Sequence, residues 1–311
     1  MINIYFKELN KDIEKIEEYK PGSWINLINP TKDEIKEISE VTSIPEEFLN
    51  YPLDIDERAR VEIEDDVTMT ILRIPYYDMN NDETPYITIP LGIIFIKDFI
   101  VTVCVKKAKI FVDFINNKIK RFQTSNNNHF LLLVFLKTAS LYLHYLRKID
   151  KITDIIENEL HKSMKNEELI KLLNIEKSLV YFTTSLRSNE FMMERLQRSN
   201  QLKMNEEDQD LLDDVIIENK QAIEMANIYS NILSGMMDAF ASVISNNLNV
   251  VMKFLTSITI ILMIPTLIAS IYGMNIKLPF QRSPHAFLIT MGMSLILTVF
   301  GIILFIKRKW L

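Results

Sequence analysis

Between Asp238 and Gly273, alternating strides of four and three residues pick out Asp238, Ser242, Ser245, Asn249, Met252, Thr256, Thr259, Met263, Thr266, Ser270 and Gly273. Nearly every member is small, polar or methionine. Carboxylate, amide and hydroxyl oxygens are the ligands that hard, hydrated cations prefer. A carboxylate at one end of such a stripe would attract them. The stride averages 3.5 residues, which keeps one face of a helix turned toward the axis of a left-handed bundle. Two readings of the hydroxyls follow from this spacing. They line a cation path, or they pack helices closely and bond back to their own backbone. Asp238 and Asn249 favour the path. Met252 and Leu255 would form an apolar constriction able to gate by dewetting, and ordinary helix packing is the other use for such side chains.

The element that must carry this stripe enters a membrane. Phe254 to Ile271 and Ala286 to Ile306 are each free of charge and close to the length that spans a hydrocarbon core. Oxygen-bearing side chains facing lipid are costly, so within the first span the stripe must face protein or water. Two helices cannot enclose water. Several copies of the first around an axis can, with the second helix as a lipid-facing collar. Upstream of the span, proline is absent from Asn128 to Pro265, and Gly235 is the lone glycine there. That composition is helical, with breaks near Lys165 to Glu167 and Gln201 to Glu206. The third helix has a cap and acidic first turn at Asn205 to Asp208 and meets no strong breaker before Tyr272 and Gly273. A helix from about 206 to 272 would be about 100 Å long at 1.5 Å per residue, so the span continues as a stalk. Pro265 should bend it locally.

The first part of the chain alternates strand-like and helix-like stretches. Trp24 to Ile28 reads as a strand, and Thr31 with Glu34 has capping-box spacing at the start of a helix. Further strands are expected at Val67 to Ile74, Ile87 to Ile96 and Phe99 to Val105. Cys104, the single cysteine, excludes an internal disulfide framework and is expected to pack in the core. The N-terminal stretch MINIYFKELNKDIEKIEE lacks the apolar core of a signal peptide. Two spans return the chain to its starting side, and Lys307, Arg308 and Lys309 mark that side as cytoplasmic. The expected organisation is α/β followed by helices and membrane: 1–125 a cytoplasmic α/β domain, 126–252 a long-helix stalk, 253–273 a pore-lining span, 274–285 an external loop, 286–306 a second span and 307–311 a basic cytoplasmic tail. The expected location is the plasma membrane.

At the outer end of the long helix stands Tyr272-Gly273-Met274-Asn275. Closing the first of two C-terminal spans and preceding a terminus reading KRKWL, it resembles the signature of the CorA family of magnesium channels. The stretch from Met237 to Thr256 resembles that family's stalk and pore entrance, and WINLINPTKDEI its early strand and helix. The resemblance implies a funnel-shaped homopentamer in a lipid bilayer that moves divalent cations, Mg2+ and also Co2+, without nucleic-acid partners. It implies a filter of Tyr272, Gly273, Met274 and Asn275, in which Asn275 side chains and Gly273 carbonyls ring the entrance. Asp238, Asn249 and Thr266 would be later polar positions, and Met252, Leu255 and Met263 narrow points. It also implies regulatory Mg2+ between subunits, held by acids corresponding to Asp78 and Asp214. Asn80, Asn81, Asp82 and Glu83 are alternative ligands beside Asp78, which would also serve as a turn former. Asp213 and Asp214 would equally suit a solvated helix face.

One departure from the family pattern is the outer loop, where Lys277, Arg282 and His285 stand and no acid does. It leaves the related zinc-transporting branch as an alternative, although His129, His144, His161 and His285 are scattered and form no zinc-type cluster. A membrane-anchored helical scaffold is the alternative from another class. An enzyme is not expected, since no nucleophile, acid-base or Walker pattern is recognisable.

Overall fold

The computed structural model describes residues 1–8, 11–81, 83–119, 122–163, 166–199, 204–280, 283–308 and 310. Asp82, Lys165, Gln201, Arg282 and Lys309, named above, lie outside the described residues. The chain divides into two compact units, Met1–Gly235 and Met236–Leu311.

In the first unit the strands are β1 (Ile2–Phe6), β2 (Glu14–Ile16), β3 (Trp24–Ile28), β4 (Arg60–Glu64), β5 (Val67–Tyr77), β6 (Tyr86–Ile96) and β7 (Phe99–Cys104). The helices are α1 (Lys32–Thr42), α2 (Glu46–Asn50), α3 (Val112–Ile115), α4 (Asn127–Ser163), α5 (Asn166–Ser199) and α6 (Glu206–Tyr272), the last continuing into the second unit. One sheet runs β2-β1-β3-β7-β6-β5-β4. Among the described residues only β3 and β7 pair in parallel, with Asn26 opposite Thr102.

Alternation along each strand divides the core in two. Trp24, Leu72, Ile74, Leu91, Ile93 and Ile100 face a layer that includes residues of α4, α5 and α6. Ile25, Leu27, Met69, Ile71, Val101 and Val103 face α1 and α2. A period of two sends neighbouring side chains to opposite faces, so a sheet covered on both sides needs apolar residues at consecutive positions. β6 has them, and it is buried almost throughout. The expected α/β fold is thus a three-layer sandwich. Tight packing reaches the backbone: a Cβ on Gly92 would lie 2.2 Å from Cγ of Pro52.

The expected capping box forms. Glu34 N–H donates to Thr31 Oγ1 at 3.2 Å and Thr31 N–H to Glu34 Oε2 at 2.8 Å. The N-terminal ammonium also binds Glu34 Oε2, at 2.7 Å. Cys104 is buried, its Sγ donating to the Pro90 carbonyl, and burial pushes its thiol up to about 11, so it packs as expected. Strands β1, β2 and β4 were not expected. β2 and β4 are the two outer strands, and their sequences EKI and RVEIE lack an apolar run. β4 pairs with β5 only as far as Arg60 opposite Ile71. Two residues further on, buried Asn189 of α5 takes over: its Oδ1 accepts from Arg73 N–H at 2.9 Å, and its Nδ2 donates to Arg73 O at 2.8 Å.

In the second unit, α6 is joined to α7 (Ala286–Lys307). Among the described residues, three helices are long and apolar enough to cross a membrane by length and composition: α4, α6 and α7. The apolar window of α4 is 61% buried, against 11% for α6 and 0% for α7, so α4 spends its apolar side chains on the core of the first unit.

Candidate functional site

The 3.6-residue period of α6 advances about 100° per residue, which puts Met252, Thr256, Thr259, Met263, Thr266 and Ser270 on one side. All six are exposed, as are Asp238, Ser242, Ser245, Asn249 and Gly273. About 150° around the helix lies the covered side. Ser257 and Ile268 are buried there, and Ile261 and Ile264 are half-buried. Gly301 of α7 approaches this side so closely that a Cβ on it would lie 3.2 Å from Cδ1 of Ile264. α7 therefore meets α6 away from the polar stripe, which stays uncovered from end to end. Gly301 was missed in the sequence. Its signal is the spacing Thr290, Ser294, Thr298, Gly301, whose small side chains let two helices approach.

The hydroxyls have a definite orientation. Ser242 Oγ donates to Asp238 O at 2.9 Å, Thr259 Oγ1 to Leu255 O at 2.9 Å and Thr266 Oγ1 to Leu262 O at 3.2 Å. Each hydroxyl has one proton, and here it is committed to the backbone. What remains is an oxygen with free lone pairs. Back-bonding and cation contact, two separate readings in sequence terms, are thus compatible: a back-bonded hydroxyl presents acceptors only. Met252, Leu255 and Met263 are 53%, 57% and 63% exposed, so more than half of each apolar residue is left uncovered in this chain.

Tyr272 ends α6, and its hydroxyl donates to Pro279 O at 3.4 Å. Gly273 N–H donates to Ala269 O at 2.9 Å and Met274 N–H to Ile271 O at 3.2 Å, closing the last turn. A Cβ on Gly273 would lie 3.3 Å from Ala269 O, tighter than an ordinary contact. Gly273, Met274 and Asn275 are exposed, and among the described residues the Asn275 amide has no hydrogen-bond partner. An unspent amide on the turn after a helix is suited to holding ordered water around an ion. Lys277 and His285 are also exposed, and His285 N–H donates to Ser283 Oγ at 3.3 Å.

In the first unit, Asp78 lies in the β5–β6 turn. Its N–H donates to Pro85 O at 2.8 Å, and its Oδ1 accepts from Asn80 N–H at 3.1 Å. That is the bonding of a turn former, and it leaves Oδ2 unspent. Asn81 is occupied in the same turn, its Oδ1 accepting from Thr84 N–H. Asp214 is exposed on α6, while its neighbour Asp213 accepts from Gln197 Nε2 at 2.6 Å. Among the described residues no three His, Cys, Asp or Glu side chains are grouped to hold a metal within one chain.

Residues 20–308 match the family model described as CorA-like Mg2+ transporter protein. A cobalt/magnesium transport protein of Methanocaldococcus jannaschii is 28% identical over 93% of this chain and 91% of its own. A magnesium transport protein of Helicobacter pylori is 25% identical with both chains covered in full. Among solved structures, the complete CorA magnesium transporter from Methanocaldococcus jannaschii has a TM-score of 0.87 at 25% identity, covering 100% of this chain and 99% of that one. The full-length CmaX protein, at 13% identity and a TM-score of 0.72, shares the fold. With nearly its whole length accounted for by that model, this chain belongs to the CorA-like Mg2+ transporter family.

Proposed function

We propose that this chain is one subunit of a homopentameric magnesium channel of the plasma membrane, able to carry cobalt, in which five copies of α6 surround the ion path. The observation that carries the reading is the uncovered stripe of back-bonded hydroxyls on the side of α6 remote from Gly301. A second observation agrees with it: Met252, Leu255 and Met263 on or beside that stripe are apolar yet more than half uncovered, as gate residues waiting for their counterparts would be. α6 crosses the bilayer over 253–273 and α7 returns over 286–306, with both termini and the basic tail in the cytoplasm. Magnesium sheds its water reluctantly, so recognition through oxygens of Asn275, Gly273, Thr266, Asn249 and Asp238 acts on the hydrated ion. Tyr272 and Met274 shape the filter turn. An inside-negative potential supplies about 4.6 kcal/mol per 100 mV to an entering dication, twice the value for one charge, and no other energy source is required. Asp78 and Asp214 of neighbouring subunits hold regulatory Mg2+, whose binding favours the closed, symmetric state.

The test is uptake of magnesium, cobalt and zinc into liposomes under an inside-negative potential, with Asn275→Ala in parallel. Wild-type protein should take up magnesium and cobalt, and the variant should not. Equal uptake by Asn275→Ala would remove the filter assignment. Uptake of zinc without magnesium would transfer the chain to the zinc-transporting branch, and no voltage-driven uptake would favour the scaffold.

A further inference from the structure

The face of the sheet that meets α4 is largely apolar, and polar side chains of three neighbouring strands meet on it in one row. Asn3 of β1 is directly opposite Asn26 of β3, and Asn26 is in register with Thr102 of β7. Asn26 is 4% exposed and Thr102 fully buried. Trp24 Nε1 donates to Thr102 Oγ1 at 2.8 Å, and Thr102 Oγ1 donates to Asn26 Oδ1 at 3.0 Å. This chain uses the acceptor of Asn26 and leaves its Nδ2 donors without a partner among the described residues. A polar row in a largely apolar layer breaks the pattern that specifies the fold, and such breaks are expected where a site has been built.

The row opens into a cavity of about 390 Å³ in the first unit, within the size range of small-molecule sites. Asn3, Tyr5, Asn26 and Lys107 line it together with apolar Ala108 and Phe111. Tyr5 is 8% exposed, its hydroxyl has no hydrogen-bond partner among the described residues, and burial raises its pKa, so it stays a donor. Lys107 has no carboxylate within ion-pair distance among the described residues. Asn26 Nδ2, the Tyr5 hydroxyl and Lys107 Nζ are thus unspent donors, one of them cationic, above an aromatic and aliphatic floor, with the Asn3 amide beside them offering both a donor and an acceptor.

We propose that this cavity binds a compact organic carboxylate, its apolar body on Ala108 and Phe111 and its carboxylate among Asn26 Nδ2, the Tyr5 hydroxyl and Lys107 Nζ. The proposal is independent of the transport reading, since every residue in it belongs to the first unit. Trp24 reports on the site, because its ring centroid lies 5.0 Å from that of Tyr5 and its indole N–H is linked through Thr102 to Asn26. The other tryptophan, Trp310, is removed with Trp310→Phe. Full-length protein in lipid nanodiscs is titrated with benzoate, and with benzyl alcohol as the neutral analogue, following Trp24 fluorescence against empty nanodiscs. Benzoate should give a saturable change and bind about tenfold or more tightly than benzyl alcohol. Asn26→Asp keeps the acceptor for Thr102 but replaces the donors with an oxygen, and should weaken benzoate about tenfold or more. Lys107→Gln, at an exposed side chain that folding does not need, should weaken it several-fold and flatten its dependence on ionic strength. No saturation by ~10 mM benzoate, equal affinity for the alcohol, or wild-type binding by the Lys107→Gln protein would each overturn the proposal.

Discussion

If the exposed side of α6 carries hydrated ions, removing an acceptor from it should slow transport without loosening the fold. Thr259→Val and Thr266→Val are suited to this, because valine keeps the β-branched shape and loses only the hydroxyl. The carbonyls of Leu255 and Leu262, to which these hydroxyls donate, keep their own helical bonds, so little stability should be lost. An acceptor that meets water polarised by a dication is in a charge-assisted bond, about 1.5–3 kcal/mol. At 1.36 kcal/mol per factor of ten, loss of one such bond at the barrier slows uptake about tenfold to a hundredfold. Magnesium uptake into liposomes, following an internal indicator at fixed potential, reads this directly. Thr259→Ser and Thr266→Ser restore the hydroxyl and should recover most of the rate. Thr298→Val is the internal control: its hydroxyl also bonds back, to Ser294 O at 2.8 Å, but it lies on α7, and its loss should leave the rate unchanged. Wild-type uptake by both valine variants, or equal slowing by Thr298→Val, would refute the argument that the stripe presents acceptors to the ion.

Further predictions concern the first unit. Asn189→Asp keeps an acceptor for Arg73 N–H but sets a second acceptor against Arg73 O in a buried site. It should destabilise that unit by about 2–4 kcal/mol and raise hydrogen exchange at Arg73, and an unchanged thermal melt would show that the strand does not depend on the amide. The Glu34 carboxyl is held below its ordinary range, first by its bond to the N-terminal ammonium and then by the Thr31 N–H. Because the folded pKa is the lower one, its contribution is complete above the ordinary carboxylate range and is lost as pH falls through the folded value. The melting temperature of Glu34→Gln should therefore fall less than that of the wild type on acidification, and parallel curves would contradict the linkage. If Asp214 holds regulatory Mg2+ as proposed, Asp214→Ala should weaken protection of the first unit against proteolysis by added Mg2+; protection equal to wild type would remove Asp214 from the proposed site.

What could be seen in the sequence follows from whether the deciding contact is local. The α1 cap needs only Thr31 and Glu34, three residues apart, and it forms as expected. Strands β5, β6 and β7 are rich in apolar residues on both faces because both faces of the sheet are covered, and their positions were legible to within a few residues. β2 and β4 are edges with charged side chains turned to solvent, so their strand character comes from pairing partners and not from their own pattern. Asn189 is 116 residues from Arg73, and nothing in its neighbourhood marks it as a substitute for a strand. At the candidate site the stripe was legible as a period, whereas the direction of each hydroxyl proton is a rotamer choice that spacing does not encode.

The distinction between a buried helix and a membrane helix shows the same logic at larger scale. By composition α4 qualifies as a span beside α6 and α7. Its run FLLLVFLKTASLYLHYL is interrupted by Lys137, and that one charge reveals the solvent. Lys137 Nζ reaches Asp113 Oδ2 at 2.9 Å, and Asp113 is shared with Lys118 at 3.4 Å. This charge has found a carboxylate on the first unit, and the carboxyl is in turn held below its ordinary range, chiefly by the Lys137 hydrogen bond. No such partner is needed in the runs Phe254 to Ile271 or Ala286 to Ile306, because neither contains a charge. The cost of an unpaired charge in hydrocarbon explains why the charges nearest these runs, Lys253 and Lys277 for the first and Arg282 and Lys307 for the second, stand outside them. Lys253 and Lys277 thus bracket the length of α6 that lipid can surround. The stripe hydroxyls Thr256, Thr259, Thr266 and Ser270 lie within that length, where free acceptor oxygens are tolerable only against protein or an ion path.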